Sequence, residues 1–420
     1  MHTALVIAFI GSLVFGAHLF VALFARTRVP DVLLLIVIGL VLGPVTHLVS
    51  PDQLGSVGPV FTTVTLVLIL FESGIGLQIE TLRKALRGTL ILATLNFFAT
   101  GLVVAAAAWK MTELGPMRSL MLGAVLGGTS PAVVIPMAAQ LGMGREASAL
   151  LFLESAVSDV LSIVIALALL DGRRFGVAWG PVAGSIMASF LFASILGGVG
   201  AIVWSSLLSR VRNLQNGMFT TAAFVFLVYG VTEILGYSGA IASLVFGIGL
   251  GNTEWLRVHL SRRTPSLAPV ELNEHEKAFF AEIVFLLKTF FFVYIGLSVQ
   301  FQNQRWITFG LVVTLMIFAA RIPIVRIGVN KALPRGDASR MAAMAPKGLA
   351  AAVLASLALQ QGVPGGDLIQ NSTYAVVLFS IVLTSVLIFL QDKTFVGGAY
   401  RRIFKGFGAA GAPGSGNEMV

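Results

Sequence analysis

Two carboxylates lie five residues apart in an apolar stretch, residues 150–170, with the sequence LLFLESAVSDVLSIVIALALL. Each of them, Glu154 and Asp159, would cost roughly 2.5–3.5 kcal/mol near the centre of a bilayer. On a helix their side chains point about 140° apart, so they cannot easily share a partner. We therefore predict a different role for each.

Asp159 shares a helix face with Ser155, four residues earlier, and Ser158 lies about 100° away. A carboxylate near hydroxyls suits a hard monovalent cation or a proton, and it cannot hold both at once. Either ligand neutralises the site, whereas the empty carboxylate is charged and desolvation opposes its movement through a low-dielectric barrier. Alternating occupancy of Asp159 therefore predicts exchange of a cation for a proton.

Glu154 needs a cationic partner, and Arg321 in FAARIPIVRIG is the deepest fixed positive charge in the chain. We predict a Glu154–Arg321 pair that holds the packing of its helix without titrating. Glu72, in LILFESGIGLQ, is a third carboxylate, near the end of an apolar run. Two interpretations of Glu72 are open: it lines the access path of the cation, or it reaches the membrane interface from its helix end.

The elements that must position these residues are membrane helices. Of the 420 residues, 57% are hydrophobic and 11% are charged. The mean hydropathy is +0.92, which is more than a soluble core needs. These features predict an all-α polytopic membrane protein with about 13 transmembrane helices and the lipid bilayer as its surroundings. The predicted spans are 4–25, 32–48, 57–78, 88–109, 117–140, 148–170, 182–208, 216–235, 238–251, 279–301, 307–330, 341–361 and 371–391.

The ninth span, 238–251, is short, and the distribution of Lys and Arg tests it. With thirteen spans and the N-terminus outside, the inside loops hold 19 of these residues and the outside loops hold 5. If 238–251 did not cross, the ratio would be 9 inside to 15 outside. The positive-inside rule favours thirteen spans, with the N-terminus outside and the C-terminus in the cytoplasm. We expect the protein in the cell (inner) membrane. The net charge of +9 is then explained by loop residues and not by a nucleic-acid partner.

The fifth and twelfth spans contain helix breakers at mid-depth. In the fifth, Thr129 and Ser130 are bracketed by glycines and prolines in GGTSPAVVIP, and in the twelfth, Lys347 lies between Pro346 and Gly348. Unwound backbone in a membrane must be buried in protein or line an aqueous cavity. Spans 1–6 and 8–13 would form two inverted six-helix repeats around a linker seventh, with the interruptions at corresponding positions. Such pairs are typical of midplane sites in secondary transporters.

Seven motifs together cover nearly the whole membrane part: FESGIGL, GGTSPAVVIP, ESAVSD, EILGYSGAIASLVFGIGLGN, FFFVYIGLSVQF, AARIPIVRIG and APKGLAAAVLASLAL. They occur in the order seen in the cation/proton antiporter superfamily. The chain most resembles the sodium/proton exchangers with an Asn-Asp pair in the sixth span.

The resemblance implies a homodimer in which a core domain moves against a dimerisation domain in an elevator-like way. By this resemblance, 1–78 and 182–301 form the dimerisation and linker parts, and 88–170 and 307–391 form the core. Residues 392–420 end in a Gly/Ala/Pro-rich stretch, and we expect a disordered cytoplasmic tail there.

The resemblance also implies roles for individual residues. Asp159 matches the ion-binding aspartate and Ser158 the position before it. Glu154 and Arg321 match a structural ion pair, Thr129 the breakpoint threonine, Glu72 an acidic residue of the third span, and Lys347 a basic residue of the second interrupted helix. We predict Na⁺ at Asp159, Ser155 and Thr129. In two departures, Ser158 replaces Asn or Asp, and Ser130 stands where many members have Asp.

The expected activity is electroneutral Na⁺/H⁺ antiport, without a cofactor and without an enzymatic reaction. K⁺ or Li⁺ are alternative cations. Lys288 in FLLKTFFFVYIG is unexpected so deep in a span; it either snorkels, pairs with a carboxylate, or titrates and makes transport electrogenic. A passive cation channel is a further alternative, although the sequence has no repeated filter element. An intramembrane enzyme would need a nucleophile–His pair or a His/Asp metal cluster, which the sequence lacks.

Overall fold

The computed structural model describes residues 2–27, 30–49, 57–77 with 79, 87–171, 179–211, 218–254, 272–299, 304–394 and 396–408. Within these ranges the regular structure is helical and contains no strand. The first half comprises α1 (His2–Thr27), α2 (Asp31–Leu40), α3 (Val57–Gly76), α4 (Arg87–Met111), α5 (Pro116–Gly127), α6 (Pro131–Gln140) and α7 (Arg145–Asp171). A π-helical turn, Val41–Val45, extends α2.

The second half of the described chain is also helical. It comprises α8 (Trp179–Val211), α9 (Met218–Ile234), α10 (Gly239–Gly251), α11 (Glu274–Ser298), α12 (Gln304–Gly328), α13 (Arg335–Ala343), α14 (Leu349–Gln360), α15 (Gly366–Lys393) and α16 (Val396–Ile403).

Apolar helical segments occupy the positions of the predicted spans. In the described ranges, seven helical segments are long and apolar enough to cross a membrane by length and composition. They are Leu90–Met111, Pro116–Gln140, Arg145–Leu170, Leu191–Leu208, Glu274–Ser298, Gln304–Gly328 and Gly366–Gln391. Six shorter apolar helices, among them Gly239–Gly251, lie where the other six spans were predicted. Apolar helical segments therefore lie at all thirteen predicted positions, and seven of them are long enough to cross a membrane.

The helices pack into two groups. In the first, α3 lies along α10, α10 along α8, and α2 along α11. In the second, α4 packs on α5, α7 and α12, and α15 packs on α12 and α14. Small residues let membrane helices approach closely. Gly74 and Gly247 serve this purpose between α3 and α10, where a Cβ on Gly247 would lie 3.1 Å from the Gly74 Cα.

The two predicted helix interruptions are present, and they touch each other. α5 ends at Gly127 and α6 begins at Pro131, while α13 ends at Ala343 and α14 begins at Leu349. Pro131 has no N–H with which to continue the hydrogen bonds of α5, and Pro346 interrupts α13 to α14 for the same reason. The Ser130 N–H donates to the Pro346 carbonyl at 2.9 Å, so the two extended segments cross. Residues 128–130 and 344–348 are all buried, which keeps their backbone away from lipid.

The C-terminal segment differs from the disorder predicted for 392–420. α16 follows α15 almost directly, and the rings of Phe404 and Phe407 are buried with centroids 5.4 Å apart. The Gly408 N–H donates to the Lys331 carbonyl at 2.9 Å. The prediction is therefore wrong for residues 392–394, which continue and cap α15, and for residues 396–408, where burial of two phenylalanines offsets the entropy of ordering them. Residues 409–420 lie outside the described part of the chain.

Candidate functional site

Asp159 faces two open cavities that share part of their walls. The first has a volume of about 450 Å³ and lies between the last turn of α3, with Glu72, and the middle of α7. The second has a volume of about 430 Å³ and adds Ser130 at the start of α6 and Lys288 of α11. Since a water molecule takes up about 30 Å³, each cavity has room for a hydrated monovalent cation. Asp159 and Glu72, far apart in sequence, thus line the same space.

The first helix break lies directly against α7. A Cβ on Gly128 would lie 3.3 Å from the Asp159 Cα and 3.2 Å from the Ser158 carbonyl oxygen. The glycine therefore allows the extended backbone to approach the carboxylate-bearing turn. This approach is what places Ser130 and Asp159 on one cavity wall.

Hydroxyl groups fasten the first break to α7. The Thr129 N–H donates to Ser158 Oγ at 3.1 Å, and Ser158 Oγ donates to the Ser155 carbonyl at 3.2 Å. Ser155 Oγ donates to the Phe152 carbonyl at 3.0 Å, and Asn96 Nδ2 of α4 donates to Thr129 Oγ1 at 3.5 Å. Each of these hydroxyls thus has a backbone or amide partner. None of Thr129, Ser155 and Ser158 lines either of the two cavities.

Ser130 packs against the second break. Its side chain is 4% exposed, and a Cβ placed on Gly348 would overlap both its Oγ and its Cβ. Gly348 is extended, with φ −137° and ψ −158°, so the glycine is required here by space and not by backbone conformation.

Glu154 and Arg321 form a buried, two-pronged ion pair. Arg321 Nη2 donates to Glu154 Oε2 at 2.8 Å, Nη1 donates to Oε1, and both side chains are 1% exposed. Arg321 Nε also donates to the Met341 carbonyl of α13 at 3.3 Å. The pair thereby joins α7, α12 and α13, and Glu154 lines neither of the two cavities.

Lys347 bridges the two interruptions. Its side chain is 1% exposed, and its Nζ donates to the Gly128 carbonyl at 2.7 Å, just beyond the C-terminal end of α5. A cation at a helix C-terminus is favourable because the carbonyl ends carry partial negative charge. The Lys347 N–H donates to Ser380 Oγ of α15 at 2.9 Å. This bond parallels the one between the Thr129 N–H and Ser158 Oγ at the first interruption.

Lys288 lies close to a carboxylate that the sequence analysis did not single out. Its Nζ is 3.9 Å from Asp31 Oδ2, and the two side chains are 17% and 11% exposed. Asp31 begins α2 directly after Pro30, so in the sequence it resembles an ordinary acidic residue at a helix N-terminus.

Asn96 and Ser380 were also missed. Asn96 has a usable signal, because it is an amide within the apolar fourth span, and its Oδ1 is buried without a hydrogen-bond partner. Ser380 carries no such signal, because serine is common in membrane helices and only the tertiary contact distinguishes it.

Comparison with known proteins identifies the family. The profile described as "Sodium/hydrogen exchanger, transmembrane" matches residues 10–390. The chain is 26% identical over 264 residues to the Na(+)/H(+) antiporter ApNhaP of Aphanothece halophytica, covering 62% of this chain and 49% of that protein. It is 25% identical over 376 residues to the K(+)/H(+) antiporter NhaP of Alkalimonas amylolytica, covering 85% of this chain and 61% of that protein. The chain thus spans about half the length of the first relative.

A solved structure has the same fold. The sodium proton antiporter MjNhaP1 from Methanocaldococcus jannaschii superimposes with a TM-score of 0.74, over 96% of this chain and 100% of that one, at 20% sequence identity. The Na(+)/H(+) antiporter 1 of the same organism is 23% identical over 339 residues, covering 76% of this chain and 75% of that protein. With the profile match extending over nearly all the described helices, the chain belongs to the sodium/hydrogen exchanger family of membrane transporters.

Proposed function

We propose that the protein is a secondary active antiporter that exchanges Na⁺ for a proton, with both ions competing for Asp159. The observation that carries this proposal is the position of Asp159 on a cavity wall beside the crossing of two interrupted helices. One carboxylate there binds a cation or a proton but not both. Only the neutralised forms can pass a low-dielectric barrier without a large desolvation penalty, so the two ions must move in opposite directions.

The cation site is proposed at Asp159, with Ser130 and Glu72 on the same cavity walls. Ser155 and Thr129, which were predicted as further ligands, line neither cavity and are proposed to support the site from behind. Ser158 already bonds to two backbone groups, so its role is to hold the first break against α7. The last turn of α3, which includes Glu72, lines the first cavity. With the N-terminus outside, α3 ends on the cytoplasmic side of the inner membrane, and the cation reaches Asp159 from there.

Exchange is proposed to be one-for-one. Ser158 does not titrate in the physiological range, so the paired position contributes a single exchangeable charge at Asp159. Lys288 Nζ lies 3.9 Å from Asp31 Oδ2, so the lysine is proposed to pair with that carboxylate and to carry no second proton. The transported cation and the proton are the only small ligands in the proposed exchange mechanism, which needs no cofactor.

The two helix groups suggest how the site moves. The group containing α4–α7 and α12–α15 carries Asp159 and both breaks, and it is proposed to slide as a core domain. The group containing α1–α3 and α8–α11 is proposed to form the dimerisation domain of a homodimer. Glu154 and Arg321 both belong to this core group, so the ion pair between them can stay intact while the core moves.

A second candidate is K⁺/H⁺ exchange, favoured by the names of several relatives such as the Alkalimonas protein. The test uses proteoliposomes that contain a pH-sensitive dye, with Na⁺, K⁺ and Li⁺ supplied in turn. Saturable proton movement with Na⁺ at the lowest KM supports the proposal, and a lowest KM for K⁺ supports the second candidate. Cation flux without proton movement would indicate a channel and overturn both.

A further inference from the structure

The wall of the second cavity carries a positive charge beside its two carboxylates. Lys288 lines this cavity together with Glu72 and Asp159. Its ammonium lies 3.9 Å from Asp31 Oδ2, which is too long for a hydrogen bond. Glu72 lies on the wall of the same cavity, so the ammonium has a second carboxylate in its surroundings and is not hydrogen-bonded to Asp31.

Two carboxylates in one aqueous cavity are a setting that divalent cations favour, because Ca²⁺ and Mg²⁺ prefer oxygen ligands that carry negative charge. A lysine ammonium on the same wall opposes them. Coulomb energy is proportional to the product of the charges, so Lys288 repels a divalent ion with twice the energy that it exerts on a monovalent one at the same place. The lysine thus changes the preference between ion charges and not only the affinity.

We propose that Lys288 is a specificity-determining residue that disfavours divalent cations at the Asp159–Glu72 cavity, and that Asp31 is the residue that positions its ammonium. Asp31 itself does not line either cavity among the described residues, so its influence passes through Lys288. This inference rests on the proposed exchange of monovalent cations at Asp159, and it adds the means by which the cavity distinguishes +1 from +2.

The proposal makes a quantitative prediction for Lys288→Gln. If the change lowers the KM for Na⁺ by a certain factor, it should lower the inhibition constant of Ca²⁺ by about the square of that factor, because binding constants depend exponentially on energy. A threefold change for Na⁺ would thus accompany a change of about ninefold for Ca²⁺. Ca²⁺ is the suitable probe because it is close to Na⁺ in size and differs mainly in charge. Lys288→Arg keeps the charge and should retain the wild-type discrimination.

The role of Asp31 is tested by epistasis. Asp31→Asn frees the ammonium to approach Glu72, so the KM for Na⁺ should rise about threefold. In the Lys288→Gln background the same substitution should change the KM less than about twofold, because no ammonium is left to reposition. Glu274→Gln is the matched control: it removes a carboxylate from the exposed Lys277–Glu274 pair on the same helix and should leave both constants unchanged.

The measurements are Na⁺-driven proton movement in proteoliposomes with Ca²⁺ as competitor, and ion-dependent thermal stabilisation of the purified protein by Na⁺ and by Ca²⁺. If Lys288→Gln changed the KM for Na⁺ and the inhibition constant of Ca²⁺ by the same factor, the charge-selective role would be overturned. The same holds if Asp31→Asn changed the KM for Na⁺ equally in the Lys288→Gln background. If Asp31→Asn does not fold, Asp31→Glu and the Lys288 variants still decide the question. A failure of the proposed antiport function would give a different result: wild-type protein would bind Na⁺ in preference to Ca²⁺ but would not move protons.

Discussion

The Glu154–Arg321 pair gives the sharpest test of the core architecture. Both side chains are 1% exposed, and the guanidinium also donates to the Met341 carbonyl. Replacing Glu154 by Gln leaves Arg321 charged in a site that water does not reach. Removing one partner of a buried pair costs about 3–5 kcal/mol, most of it from the uncompensated charge.

The shift in melting temperature follows from the size of the chain. At about 2.1 cal/mol/K per residue, unfolding 420 residues carries an entropy of about 0.9 kcal/mol/K. A loss of about 3–5 kcal/mol should therefore lower the Tm by about 3–6 °C. Arg321→Gln should produce a similar shift, because it leaves the Glu154 carboxylate buried without its partner.

The double variant separates pairing from simple loss of contacts. Glu154→Gln with Arg321→Gln contains no buried charge, so at least half of the lost stability should return. The assay is thermal unfolding of the detergent-purified protein, with Glu274→Gln on the exposed Lys277–Glu274 pair as the control that should shift the Tm little. Additive losses in the double variant, or a wild-type Tm in either single variant, would refute the reasoning.

Three further predictions concern transport and the helix crossing. Asp159→Asn should abolish exchange while the purified protein keeps its wild-type Tm, because an amide cannot alternate between a proton and a cation; retained proton-coupled Na⁺ movement would remove Asp159 from the mechanism. A valinomycin-set K⁺ potential should not change the rate of Na⁺/H⁺ exchange; a rate that follows the potential, and no longer does so in Lys288→Gln, would contradict one-for-one exchange. Gly348→Ala should destabilise the protein by about 1–3 kcal/mol and reduce transport, because its Cβ overlaps Ser130. Gly198→Ala, where a Cβ would have nothing within 4 Å, is the matched control and should be silent.

The span architecture was predictable because it depends on local composition. Each span needs only enough apolar residues to cross the bilayer, and the helix breakers in GGTSPAVVIP and APKGLAA act within a few residues of themselves. The assignment of the short ninth span depended on Lys and Arg counts, which are also visible in the sequence. The C-terminal segment was misjudged because its order comes from burial of Phe404 and Phe407 against the rest of the protein, and not from local composition.

The candidate site was predictable in its charged members and not in its supporting contacts. Asp159, Glu154 and Arg321 stood out because an ionisable group in a membrane span is costly and must have a reason. The partner of Lys288 did not stand out, because Asp31 lies at a helix start, where acidic residues are common. Hydroxyl groups such as Ser380 are frequent in spans, so only proximity to an interrupted backbone gives them a role.

The sequence by itself determined a polytopic helical membrane protein, its two helix interruptions and the carboxylates that must be buried. The reason is that hydropathy and charge belong to each residue, and the free energy of placing that residue in lipid depends directly on them. The tertiary structure decided which of those groups meet. It placed Asp159 and Glu72 on one cavity wall, joined Glu154 to Arg321, and crossed the two breaks through Ser130 and Pro346. These contacts depend on how helices pack against one another at close-fitting small residues, and no local pattern in the chain records that geometry.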